Sequence, residues 1–437
     1  MRLLFVSHNY PPEVNAPARR LQEHARQWVA DGGRVRVLTA PPHYPEGAVY
    51  RGYANARTRE LDEGIELERV PIVPLANAGV VRRCVNFASF LASATWHGTR
   101  LDGSPPDVVA ATTPQLLSGL AGYLVAKRLG VPFVLEVRDL WPESIVAAGV
   151  DGRSRLVASL ERLARFLYAH ADHVVVLSDA FREHLLGLGV PSSRVTVIKN
   201  GVLPETFAAP DPARVREVRA RHGLEGRFVV SYIGTTGDAH GLEVVLEAAR
   251  RCPDPEVVFL VMGTGNRRGD LEEAHRRLGA ENVVLVPKRP HEDVPAYYGA
   301  SDAALVHLRR LPAFRKVLPS KMFEAWAAGR PILLGVEGEA RSTLLRAGGG
   351  LAFEPGSADA LLEALGRLRA DPSLAERMGR AGQAFVREEH DRRRLAARYW
   401  ATLETVSRAG ARARAPGSSL PAGVGPVTAP AGDAVGP

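Results

Sequence analysis

Phe228-Val-Val-Ser-Tyr-Ile-Gly-Thr-Thr-Gly-Asp-Ala-His-Gly241 is a short apolar run that stops at a glycine-rich turn, with helix-period sequence from Gly241 onward. A continuous apolar run ended by glycine reads as a strand buried on both faces, the kind found in parallel sheets covered by crossover helices. The turn at Gly234 and Gly237 would let backbone N–H groups approach a phosphate closely, although an ordinary tight strand-to-helix loop uses the same glycines. The pattern recurs downstream at Val257–Met262, Val283–Val286, Ala303–Val306 and Ile332–Leu334. Upstream it recurs at Leu3–Ser7, Val35–Thr39, Val108–Ala111, Phe133–Val137, Val174–Leu177 and Val195–Ile198. Helical segments lie between, such as Ser154–His170, whose Leu156, Leu160, Leu163 and Leu167 share one face. Strand and helix alternate throughout, which is the α/β class with parallel sheets.

Two such units in succession give domains at 1–203 and 204–385, joined where prolines cluster from Pro204 to Pro212. Sequence after Pro372 is fully helical to about residue 408, and the Ala/Gly/Pro-rich stretch 409–437 reads as a disordered tail. A length of 437 residues suits two or three domains, and 46% apolar with 24% charged residues is ordinary for a globular protein. Cys84 and Cys252 are the only cysteines, so a disulfide framework is not expected and a reducing cytoplasm is. The opening Met1-Arg-Leu-Leu-Phe-Val-Ser-His-Asn9 is too short an apolar run for a signal peptide, and no stretch approaches a membrane span. The net charge of +8 suits anionic partners, yet arginine-rich composition alone could produce it. No dense Lys/Arg block interleaved with aromatics points to nucleic acid.

The richest segment for chemistry is Arg315-Lys-Val-Leu-Pro-Ser-Lys-Met-Phe-Glu-Ala-Trp-Ala-Ala-Gly-Arg-Pro-Ile332. Pro319 and Ser320 open a helix whose free N–H groups would hold an anion, with Lys321 adding positive charge. Glu324 lies one turn inside, where a carboxylate could grip ribose hydroxyls; a plain helix-dipole partner would look the same.

This segment resembles the donor motif of the retaining glycosyltransferases of family four, with Glu324-Ala-Trp-Ala-Ala-Gly-Arg-Pro331 matching its second half. Val197-Ile-Lys-Asn-Gly-Val202, Val261-Met-Gly-Thr-Gly265 and Ala300-Ser-Asp-Ala303 fit the same family, so the likeness covers residues 1 to about 405. Glu136-Val-Arg-Asp-Leu-Trp-Pro-Glu143 and Val317-Leu-Pro-Ser-Lys321 are similar to the branch acting on fucosamine- and colanic-acid-type surface polysaccharides. The resemblance implies a GT-B architecture: two Rossmann-like domains face a central cleft, with the acceptor on the first and the nucleotide sugar on the second. It also implies that helix 386–408 crosses back to the first domain. The implied partners are a nucleoside-diphosphate sugar, UDP-linked by preference, and a polyprenyl-diphosphate-linked saccharide. No cofactor and no metal is implied, and no Asp-x-Asp pair or zinc-like spacing occurs in the chain.

The chain departs from the family at two places. Lys316 stands where the motif's first glutamate would fall, and Thr235 and His240 stand where the Arg and Lys of the diphosphate clamp would fall. The cationic role therefore passes to Lys316, Lys321 or Lys288. In the family the Gly263 turn and the loop Val286-Pro-Lys-Arg-Pro290, with Lys288 and Arg289, lie beside the base; alone, Gly263-Thr-Gly265 is a weak dinucleotide signature.

On the acceptor side, Asn15 and Arg19 belong to the loop and first turn after the first strand, and Arg19 and Arg20 could both face phosphates or solvent. Asp139 follows a strand at the sheet edge where ligands bind and could take an acceptor proton, flanked by Arg138 and Glu143. A structural Asp–Arg pair is the plainer alternative. His8 ends the first strand in the same way. Val80–Leu101 reads as an amphipathic helix with Val80, Cys84, Phe87, Leu91 and Ala94 on one face and Arg82, Arg83 and Arg100 elsewhere. It either packs on the core or, with Trp96 at its edge, rests on the anionic inner face of the plasma membrane. Rival functions on this architecture are a UDP-sugar epimerase, a non-catalytic sugar-nucleotide-binding protein and, least favoured, a nicotinamide dehydrogenase.

Overall fold

The protein is described by a computed structural model over residues 1–13, 15–44, 46–76, 79–113, 115–143 and 153–414. Its strands are β1 (Arg2–Val6), β2 (Arg34–Thr39), β3 (Thr58–Asp62), β4 (Ile65–Arg69), β5 (Val108–Thr112), β6 (Phe133–Val137), β7 (His173–Val176) and β8 (Val195–Val197) in the first half. The second half supplies β9 (Phe228–Ile233), β10 (Val257–Met262), β11 (Val283–Val286), β12 (Ala303–His307), β13 (Ile332–Gly335) and β14 (Gly350–Ala352). They form an eight-stranded sheet in the order β3-β4-β2-β1-β5-β6-β7-β8 and a six-stranded sheet in the order β11-β10-β9-β12-β13-β14. Every pairing is parallel except that of β3 with β4. The central strands β5, β6, β10, β12 and β13 are buried at every position, as their largely apolar sequences require, with Glu136 in β6 the one charged exception.

Three strands escape the apolar-run criterion. The edge strand β3 is mostly exposed, with Arg59 and Glu60 in its middle, and closes a hairpin on β4 through Glu63 and Gly64, both at positive φ. In β4 the charged Glu68 and Arg69 are buried, because Arg57 and Arg59 reach Glu68 while Glu60 reaches Arg69. The short β14 has only three residues.

The segment after residue 203 is more ordered than a linker. Pro204–Ala208 forms a short helix whose Pro204 and Phe207 are buried, Phe207 joining the second-domain core beside Val202. The helical C-terminal region breaks at His390, not at residue 386: His390 Nδ1 donates to the Asn200 carbonyl (2.8 Å) and its ring stacks on Phe323. A new helix, Arg392–Arg414, then lies against helix Ala16–Ala30 of the first domain. Trp28 Nε1 donates to the Ala396 carbonyl at 2.8 Å, and Leu395, Tyr399 and Leu403 are buried beside it. This helix continues through 409–414, where Ala411, Arg412, Ala413 and Arg414 favour it despite Gly410, so the expected tail does not begin at 409. Residues 415–437 lie outside the described residues.

Candidate active site

Parallel strands deliver their C-terminal ends, and the turns that follow, to one edge of each sheet. In the second sheet the turn after β9 begins at Gly234, whose φ of +147° suits glycine. The turn after β10 packs directly on it: a side chain at Gly263 would collide with the Gly234 carbonyl, and one at Gly265 with the Thr236 carbonyl. Those two glycines thus serve the packing of one turn on another. Gly237 donates its N–H to His240 Nδ1 at 3.3 Å, and His240 is held at its carbonyl by His307. Burial, with Lys321 adding to it, pushes His240 down to about 3, so it is neutral at pH 7 and serves the turn as an acceptor.

Pro319 and Ser320 precede helix Lys321–Ala327, which is short because Gly329 and Pro331 end it ahead of β13. Its buried face, Met322, Phe323, Ala325 and Trp326, anchors it in the core, leaving Lys321 and Glu324 half-buried on the other. The Lys321 ammonium donates to Tyr232 Oη at 2.6 Å and lies 3.8 Å from the centre of that ring. Burial pushes Lys321 down to about 7, opposed by Glu324. Burial likewise pushes the Glu324 carboxyl up to about 7, opposed by Arg19 and Lys321. Arg19 belongs to the first domain, so these charges meet across the cleft. Asn15 positions it by accepting the Ala18 N–H at 2.9 Å as the helix cap.

Arg19 and Arg20, alike in sequence, separate completely. Arg20 is buried, paired with Glu136 at 3.0 Å and donating to the carbonyls of Ile198 and Lys199. Burial alone would raise the Glu136 carboxyl, but Arg20, Arg138 and the Thr112 hydroxyl (2.7 Å) hold it below the usual range. Arg138 is pushed down to about 10 by burial, against the pull of Glu136 and Asp139. Asp139, half-buried by exposed area but closely ringed by protein, is pushed up to about 6 by burial with Arg138 opposing. That value lies near neutrality, where a general base works best. His8 is a poorer candidate: burial and then His43 push it down to about 3, and its ring is boxed edge-on by His43, Phe87 and Phe90.

The remaining expected residues are scattered. Lys316 does not reach the Gly234 turn; its Nζ lies 3.3 Å from His184 Nδ1, and His184 Nε2 lies 3.3 Å from Glu143. Ser178 donates to the Lys316 carbonyl at 3.0 Å, and Glu339 accepts the N–H groups of Asp179 and Ala180, so the loop before Ser320 is bound to the first domain. Arg289 turns to Asp293 at 3.3 Å, and Lys288 is exposed on the turn after β11. Among the described residues no group of three or more His, Cys, Asp or Glu is gathered as metal ligands would be. Sequence reasoning missed Tyr232, whose signal was a polar-tipped ring two residues before a glycine turn. It also missed Ser178, His184 and Glu339, which carry no local signal.

Helix Val80–Gly98 packs with Asn86, Phe90, Ala94 and Gly98, while Val80 and Cys84, expected on its packed face, are exposed. Val81, Val85, Ala88, Ala92 and Trp96 form a second stripe that is exposed. No helix of the described residues is long and apolar enough to cross a membrane.

The chain is 26% identical over 344 residues to the putative colanic acid biosynthesis glycosyl transferase WcaI of Escherichia coli, covering 77% of this chain and 84% of that protein. It is 31% identical over 223 residues to a GDP-mannose-dependent alpha-(1-6)-phosphatidylinositol monomannoside mannosyltransferase of Mycolicibacterium smegmatis, covering 49% of this chain and 58% of that protein. Anabaena HepE in complex with UDP-glucose shares the fold, with a TM-score of 0.71 at 17% identity over 93% of this chain and 100% of that one. The Glycosyl transferase 4-like domain family matches residues 15–201 and the Glycosyl transferases group 1 family matches 215–385, and with the two-sheet architecture between them the chain belongs to the glycosyltransferases of the GT-B fold.

Proposed function

We propose that the chain moves a glycosyl group from a nucleoside-diphosphate sugar to a polyprenyl-diphosphate-linked saccharide, with retention at the anomeric carbon, in making a surface polysaccharide. The observation that carries this reading is the meeting of Arg19 and Glu324 from separate domains in one cleft, with Asp139 at the facing sheet edge. Glu324 binds the nucleotide ribose. The anomeric carbon exchanges its bond to the diphosphate oxygen for one to the acceptor oxygen. The electron pair stays with the departing nucleoside diphosphate, and the acceptor proton passes to the Asp139 carboxylate. The colanic acid relative supports a polysaccharide role, and the phosphatidylinositol-directed relative supports an acceptor with a lipid part. The names of the compared proteins include both GDP-mannose and UDP-glucose; UDP is our preferred base.

A lipid-borne acceptor calls for a membrane-facing surface, and the stripe on helix Val80–Gly98 fits one. The segment 80–101 contains Arg82, Arg83 and Arg100 and no acidic residue. The adjoining helices Leu116–Leu129 and Arg155–His170 expose Leu124, Lys127, Arg128, Arg162 and Phe166. Apolar side chains set among arginines favour the anionic inner face of the plasma membrane. Incubation with UDP-, GDP- and dTDP-sugars and a polyprenyl-diphosphate-linked saccharide should yield an extended lipid-linked product from one donor, with the donor's anomeric configuration by NMR. An inverted product would overturn retention. An epimerised nucleotide sugar formed without acceptor, and no transfer, would overturn the whole reading.

A further inference from the structure

We propose that Lys321 and Tyr232 form the diphosphate clamp of this chain, in place of the cations that the turn from Gly234 to Gly241 lacks. This rests on the transferase reading and assigns the residues that hold its donor's phosphates. The turn itself offers no charge for the purpose, since Thr235 is neutral and His240 is buried as a neutral acceptor. Lys321 arrives from another element, the helix after Ser320, and its ammonium lies about where a side chain at Gly234 would begin: a Cβ there would stand 3.0 Å from Nζ. Glycine at 234 is favoured by its φ of +147°, and a side chain there would press on the ammonium beside it.

Tyr232 makes this arrangement rigid. Its hydroxyl accepts from Lys321 at 2.6 Å and donates to the Thr235 carbonyl at 2.6 Å, so ammonium, phenol and turn form one hydrogen-bonded unit. The ring face below the ammonium supplies further attraction without neutralising it. The other cations are paired or placed elsewhere: Arg267 and Arg309, beside the turn, are engaged by Asp238 and Glu243. Lys316 is engaged by His184 across the cleft, and Lys288 is exposed beyond β11. Arg19 of the facing domain, which acts on the carboxylates of Glu324 and Glu292, brings a second cation to the same side of the cleft. A diphosphate lying between Lys321 on the turn side and Arg19 would be held from both domains. An ammonium preset in a poorly solvated cleft then stabilises the charge that grows on the leaving group.

The test is calorimetric titration of UDP, GDP and dTDP, each beside its nucleoside, into wild type and the variants Lys321→Met, Lys321→Arg, Tyr232→Phe and Lys316→Met. Lys321→Met should lose diphosphate affinity by about tenfold or more while nucleoside affinity stays unchanged. Tyr232→Phe should lose less, and Lys316→Met nothing. Wild-type diphosphate affinity should fall as pH rises above about 7, because the free amine must take up a proton to bind, and Lys321→Arg should flatten that slope to the part left by Glu324, which ionises over the same range. His240, Tyr298, Arg19 and Glu324 also face this group and remain in every variant. Diphosphate affinity unchanged in folded Lys321→Met overturns the clamp; should that variant not fold, affinity unchanged in Tyr232→Phe together with an undiminished pH slope in Lys321→Arg overturns it. Wild type that binds none of the three diphosphates overturns the transferase reading and the clamp with it.

Discussion

The two sheet edges that face the cleft handle buried charge in opposite ways. In the first domain, Arg20 and Glu136 are both buried, and their hydrogen-bonding capacity is used by each other, by Thr112 and by the carbonyls of Ile198 and Lys199. In the second, Lys321 and Glu324 are half-buried, pushed toward neutrality from both sides, and face Arg19 from across the cleft. A saturated pair holds a fold together, whereas a set left short of partners is ready for a ligand. The same residue types therefore have structural work at one edge and binding work at the other.

The largest effect should come from breaking the saturated pair. Arg20→Met strands Glu136 without its partner and should destabilise the protein by about 3–5 kcal/mol in chemical denaturation, the cost of removing half of a buried ion pair. Glu324→Gln, at the unsaturated edge, should leave the denaturation midpoint nearly unchanged while weakening diphosphate binding by about 1.5–3 kcal/mol. Similar stability losses in both variants would erase the distinction between the edges.

Asp139 sharpens the comparison through pH. Its folded value of about 6 is above that of an exposed aspartate, so the folded state holds the proton more tightly than the unfolded one. The stability it contributes is present at low pH and is lost as pH rises through about 6. Asp139→Asn should accordingly melt above wild type at pH 8, by about 2–4 °C for each ~1 kcal/mol relieved, and gain less at pH 4.5. The same variant should lose transfer activity, and wild-type activity should rise with pH through about 6. A variant that melts lower at pH 8 would show the Arg138 contact outweighing burial.

These contrasts were only partly legible in the sequence. Continuous apolar runs such as Phe228–Ile233 and Val257–Met262 coincide with β9 and β10, because a strand covered on both faces has no solvent side to interrupt it. Strand β3 was illegible, since its Arg59 and Glu60 look out from a sheet edge and are held by β4. At the site, sequence reasoning singled out Arg19, Lys321 and Glu324, whose charges act on one another between the domains, and Asp139, which lies beyond the end of β6 beside Arg138. It could not separate Arg19 from Arg20, because which of two adjacent helix residues turns inward depends on Glu136, far along the chain. Nor could it send Lys316 to His184 and Lys321 to Tyr232, since both lysines lie on one short segment and their partners on different domains.

A smaller effect is expected at the surface. Arg82→Glu with Arg83→Glu should weaken binding to anionic vesicles by about 1 kcal/mol or more per arginine, and wild-type binding should weaken as salt rises. Equal partitioning of wild type and double variant would remove the membrane from the account.

The central claim is that the unsaturated charges around Glu324 are a nucleoside-diphosphate site. Calorimetric titration of UDP, GDP and dTDP into wild type and Glu324→Gln tests it most directly. The account predicts that wild type binds one of them preferentially and that Glu324→Gln binds the same ligand about tenfold or more weakly with its melting temperature intact. Equal affinity in the two proteins would contradict it, leaving Glu324 as a helix-terminus charge with no ligand of its own.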